Sequence, residues 1–211
     1  MRKYLLFLCG AAAVFMSLNS EALGFENVSN AGFIFNENPQ YIAASSSLTS
    51  KLTALNNQLL KTDTSVQNSF LSLVSLLSKK QEADDIKSKA ASIMNNSSSQ
   101  QADKSSMLSG LISDYAENLA ANKSDFIKTI TDLSQNDKRS MLNNLAGLSK
   151  GSAQYLSLAR NYTALAASAS GTGDFREGLM TAANASSSAA VMKRNAAALS
   201  KLASAVSSLM R

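Results

Sequence analysis

From Leu48 onward, apolar residues recur at steps of three and four: Leu48, Leu52, Leu55, Leu59, Thr62, Val66, Phe70, Leu73 and Leu77. Residues three and four apart share one face of an α-helix, so the spacing predicts a long helix with one stripe buried against partner helices. Asn56, Asn57, Gln58, Lys61, Asp63 and Gln67 fall between the stripe positions and are expected to face water. The weak point is Thr62-Asp63-Thr64-Ser65, four poor helix formers in a row. Two successive steps of four cross it, from Thr62 to Val66 to Phe70. A bend, a straightened segment or a full break is expected there.

The later elements follow from the same spacing. Past the polar patch Lys79, Lys80, Glu82, Asp84 and Asp85, a narrower stripe continues through Ala83, Ile86, Ala90 and Ile93 or Met94. Asn95–Gln100 is a polar run and reads as a loop. A second helix spans Asp103–Ala121, with Leu108, Leu111, Ile112, Tyr115 and Leu119 on one face. Ser124 is expected to cap a shorter helix that buries Phe126, Ile127, Ile130 and Leu133. Asn136 or Asp137 should cap the next long one, whose seam is Met141, Leu145, Leu148, Ser152, Tyr155, Ala159, Tyr162 and Ala166. This helix is the natural antiparallel partner of the first, and its Gly147 and Gly151 permit a neighbour to come close. Gly171-Thr172-Gly173 breaks it, and Asp174 caps a last helix. That helix is rich in Ala and Ser from Thr181 to Ala190, then more apolar at Leu199, Leu202, Val206 and Leu209. The expected fold is all-α, an elongated antiparallel bundle of four to five helices over residues 45–211.

The segment ahead of the bundle is of another kind. Arg2 and Lys3 precede an apolar run from Tyr4 to Leu18, and Ser20-Glu21-Ala22 and Ala22-Leu23-Gly24 offer small residues for cleavage. Residues 1–24 thus have the layout of a secretory signal peptide. The run is short for a membrane span of about 20 apolar residues, and Leu8 ahead of Cys9 makes a poor lipid-attachment site. Residues 25–44 form an expected non-helical arm. Phe25, Phe33, Phe35 and Tyr41 crowd into it, Gly32 and Asn36 oppose a helix, and Pro39 is the only proline in the chain. These four aromatics either cap one end of the bundle or form the candidate partner-binding surface.

Composition narrows the chemistry. The chain has no histidine, and its one cysteine, Cys9, lies in the signal segment. The commonest general base, the commonest metal ligand and thiol chemistry are therefore missing from residues 25–211. Asp84-Asp85 is the nearest approach to a carboxylate pair, but adjacent helical residues diverge by about 100°. Gly171-Thr172-Gly173 lacks the strand and lysine of a phosphate loop. No enzyme activity, cofactor or metal is expected. The net charge is +5 and uneven. Residues 25–137 carry nine Lys or Arg against twelve Asp or Glu, a net of −3, whereas residues 138–211 carry nine against two, a net of +7. The two halves can attract each other across the bundle, or the basic half can meet an anionic surface. Nucleic acid is not an expected partner of an exported chain.

A signal peptide, an aromatic arm and a cysteine-free helical bundle rich in Asn, Ser and Gln together suggest an exported bacterial protein, periplasmic or extracellular. In general design the chain resembles the minor pilus-tip subunits of conjugative secretion machines. That resemblance implies a non-catalytic structural or interaction role with protein partners, self-association included. The alternative is a membrane-active helical protein, pore-forming or surface-binding. It is disfavoured because no hairpin of about 20 uncharged apolar residues remains after cleavage.

Overall fold

The stripe beginning at Leu48 forms a single helix, α1, Leu48–Leu77. It is followed by α2 (Lys80–Asn95), α3 (Gln101–Ala121), α4 (Lys123–Asp132), α5 (Gln135–Ala169) and α6 (Phe175–Leu209). The computed structural model describes residues 48–169 and 175–210. The signal segment, the aromatic arm, the Gly171–Gly173 break and the Asp174 cap lie outside the described residues. α5 and α6 have 35 residues each, so each spans about 50 Å at 1.5 Å per residue. The described chain is all-α, with six helices where four to five were expected, because residues 80–95 fold as a helix of their own after α1.

Direction is fixed by cross-helix hydrogen bonds. Tyr162 bonds Asn56 and Tyr155 bonds Asp63, so residue numbers fall along α5 as they rise along α1. The expected antiparallel α1–α5 pair is present. α3 and α6 both run parallel to α1, however. Gln101 meets Asp63 while Tyr115 meets Ser78, and Asn195 meets Ser105 while Lys201 meets Glu117. The uniformly antiparallel arrangement is corrected accordingly. α2 supplies the reason: it returns alongside α3, with Glu82 bonded to Asn118 and the Met94 carbonyl to Lys104. α3 can therefore start again in the direction of α1.

Nearly every stripe residue is buried as the spacing requires. Leu55, Leu59, Val66, Phe70, Leu73 and Leu77 of α1 join Leu108, Ile112, Tyr115 and Leu119 of α3. Met141, Leu145, Leu148, Tyr155 and Tyr162 of α5 and Met192, Leu199, Leu202 and Val206 of α6 complete the core. Tyr115 stands edge-on between Phe70 and Phe126, at ring-centre distances of 5.6 and 6.3 Å. Ile127 is an exception: it is exposed, and Phe126 and Ile130 alone anchor α4. Two caps also differ. Ser124 lies inside α4 without capping it. α5 is capped by Ser134, whose hydroxyl accepts the Asp137 N–H at 3.1 Å and donates to the Asp137 carboxylate at 2.6 Å.

α1 runs unbroken through Thr62–Ser65. Thr62 and Thr64 donate their hydroxyls to the carbonyls of Gln58 and Leu60, at 3.0 and 2.9 Å, so they are satisfied within the helix instead of competing with it. The glycines separate into two kinds. A Cβ on Gly147 would collide with Ser69, and one on Gly151 with the buried Val66, so both mark close α1–α5 approach. Gly110 of α3 has open space where its Cβ would be. Gly110→Ala should raise stability by about 0.5–1 kcal/mol, and Gly151→Ala should lower it by about 1–3 kcal/mol. Urea melts of the two variants check this, and equal shifts would contradict the packing.

Candidate functional site

Asp63 was expected in water, yet it is completely buried (0 % exposed). It sits midway along α1, at the level where α3 begins, so the core passes there from three helices to four. Three neutral donors converge on its carboxylate. Tyr155 and Ser105 each donate a hydroxyl to Oδ1 at 2.7 Å, and the Gln101 amide donates to Oδ2 at 2.6 Å. Asn195 of α6 donates to the Ser105 hydroxyl, and its own Oδ1 is buried without a partner. Each of the four core helices thus contributes polar groups to one layer.

The local reason lies in the seams. On α3, Gln101 and Ser105 precede Leu108, Ile112, Tyr115 and Leu119 at alternating steps of four and three. On α6, Asn195 stands between Met192 and Leu199, three and four residues away. Tyr155 occupies the α5 seam. Every member stands at helical spacing from its seam, Asp63 included, four residues from Leu59 and three from Val66.

Burial pushes the Asp63 pKa up from 3.8 to about 6, and the Tyr155, Ser105 and Gln101 hydrogen bonds hold it from going higher. The Tyr155 phenol is raised well above its usual 10, first by burial and then by the Asp63 charge. Tyr162 is raised as well, by burial and by Asp63. Both phenols are therefore donors and not bases. Tyr155→Phe removes one of the donors that favour the ionised carboxylate. The Asp63 pKa should then rise above about 6, and stability at pH 8 should fall by about 1.5–3 kcal/mol. A carboxyl ¹³C titration reads the first and a urea melt the second; an unshifted titration would contradict the Tyr155 contact.

The remaining candidates do not converge. Asp84 and Asp85 are both exposed, and Asp84 faces Lys87 at 4.0 Å. Among the described residues no group of three or more His, Cys, Asp or Glu is placed to hold a metal ion. A shallow groove of about 370 Å³ between α3 and α6 is walled by Ser106, Gly110, Ser113, Arg194, Ala198 and Lys201. Its Lys201 pairs with Glu117 at 2.6 Å, an exposed contact joining the basic and acidic halves and worth about 0–1 kcal/mol. Phe25, Phe33, Phe35 and Tyr41 lie outside the described residues. Exposed apolar side chains do occur: Leu179 and Met180, both 59 % exposed, sit near the start of α6, at the bundle end where α1 begins. No described helix is long and apolar enough to cross a membrane. The chain matches no protein-family model, no curated protein and no solved structure.

Proposed function

We propose that the chain is an exported, non-catalytic helical-bundle protein of the bacterial envelope or exterior, working through protein–protein contacts as a secretion- or pilus-associated component. The observation that carries this reading is where the polar chemistry lies. Among the described residues the one buried carboxylate, Asp63, is enclosed by neutral donors in the bundle core. Two of the exposed apolar residues, Leu179 and Met180, are neighbours at the bundle end where α1 begins. We infer that these two residues and, in sequence, the aromatics Phe25, Phe33, Phe35 and Tyr41 of residues 25–44 are what meets the partner, since side chains of this apolar and aromatic kind are enriched at the centres of protein interfaces. The layout of residues 1–24 supports export.

The test is photo-crosslinking in bacteria expressing the full chain, with the crosslinker at Phe33, Phe35 or Met180 and a control at exposed Lys87. Cell fractions are assayed beside it, and the mass of the exported form is measured. The reading expects a mature form starting close to Phe25, and one protein captured from the arm and Met180 positions but not from Lys87. Retention of Met1, crosslinks to lipid alone, or leakage of liposomes by the purified protein would overturn it.

A further inference from the structure

We propose that Asp63 is a proton-controlled latch on the α2–α3 corner. With the proton bound, the first turn of α3 is held against α1, α5 and α6; with the proton lost, that turn lifts and admits water. This is a property of the bundle and stands whether or not the chain is exported.

The four helices meet the layer in different ways. α1, α5 and α6 pass through it in mid-helix, with buried side chains on either side: Leu59 and Val66, Ser152 and Ala159, Met192 and Leu199. α3 meets the layer with its first turn. Gln101 is its first residue and only half-buried, and Ser105 is its first buried one. Behind it come the turn at Asn96, whose side chain accepts from Ser98, and α2, which buries only Ala83, Ile86 and Ala90. Of the four walls around Asp63, this one has the least packing to lose when it moves.

Ionisation supplies the force. A carboxylate in a dry layer is short of solvation, and the three neutral donors replace water only in part. The groups facing it are Gln101 and Ser105 from α3, Tyr155 and Tyr162 from α5, and Asn195 from α6. None of these is cationic. The charged residues along the same stretches, Lys61, Asp103, Arg160, Lys193 and Arg194, are exposed, and Lys104 reaches the Met94 carbonyl. The Asn195 Oδ1 is a second acceptor in the layer short of a donor. Lifting Gln101 would hydrate both acceptors together. In the protonated state Asp63 becomes a donor at Oδ2, and a flipped Gln101 amide can accept from it, which closes the network.

The sign follows from linkage. Asp63 holds its proton more tightly folded, at about pH 6, than unfolded, at 3.8. Its contribution is fully present below the unfolded value and is lost as the pH rises through about 6. A difference of about two pH units corresponds to about a hundredfold in the closed-to-open ratio between acid and alkaline conditions.

The experiment is native-state hydrogen exchange on the full chain and on Asp63→Asn, at pH 5 and pH 8, after correction for intrinsic rates. A carboxyl ¹³C titration of the wild type is run alongside. The latch expects a carboxyl midpoint near pH 6. It also expects protection of amides 104–109 to fall by tens-fold to a hundredfold at pH 8, while amides 145–160 of α5 hold. Asp63→Asn should show no such fall. An equal loss across both segments would make Asp63 a global stability term and overturn the latch. So would the same fall in Asp63→Asn, or a carboxyl that titrates near 4. If Asp63→Asn does not fold, the wild-type contrast between the two segments still decides the matter.

Discussion

Ending the chain after Gly173 should abolish the cooperative urea transition. The deletion removes α6, and with it the buried Met192, Leu199, Leu202, Val206 and Leu209. At about 1.5–3 kcal/mol for each large apolar side chain, the loss is roughly 10 kcal/mol, comparable with the whole stability of about 5–15 kcal/mol expected of a domain. The effect extends past those five residues. α6 packs along both α5 and α3, so its absence exposes the facing stripes of two more helices and leaves the Ser105 hydroxyl without the Asn195 donor. Circular dichroism through a urea gradient reads the outcome. A truncated chain that melts in one step near the full-length midpoint would mean that α6 is an accessory to the fold and not one of its walls.

Phe70→Ala should be the most costly single substitution in α1, at about 3–5 kcal/mol. Its ring is fully buried and sits edge-on to Tyr115, which is itself edge-on to Phe126. The cavity would open where α1, α3 and α4 meet, and the Tyr115 hydroxyl is already tied to Ser78 at 2.9 Å. The ring is therefore poorly placed to swing in and fill the gap. Leu60→Ala is the matched control: Leu60 lies on the same helix but is 45 % exposed, and its loss should stay within about 0.5 kcal/mol. Urea midpoints of the two variants separate the cases. Similar losses from both would show that the buried face of α1 has been placed wrongly.

The period of apolar residues was enough to determine which segments are helical and which faces are buried. The α5 seam is buried residue for residue from Met141 to Tyr162, with its last position, Ala166, half-buried, because a repeat of three and four leaves only one face that can leave water. The glycines at 147 and 151 were legible for a related reason: in a helix interior they are costly unless a neighbour needs the space. The direction of α3 was not legible. A stripe is equally apolar read either way, and only the return of α2 sets α3 parallel to α1.

Asp63 was misplaced because Thr62 and Asp63 fit the seam equally well. Thr62 is three residues from Leu59 and four from Val66, and Asp63 is four and three. Local reasoning sends the threonine inward and the carboxylate to water, since a buried charge is costly. In the folded chain both are buried. What admits Asp63 is a set of donors 38, 42 and 92 residues away, on Gln101, Ser105 and Tyr155. Periodicity gives each helix its buried face, one helix at a time. The polar layer exists only where several such faces meet at one level, so only the tertiary structure could decide it.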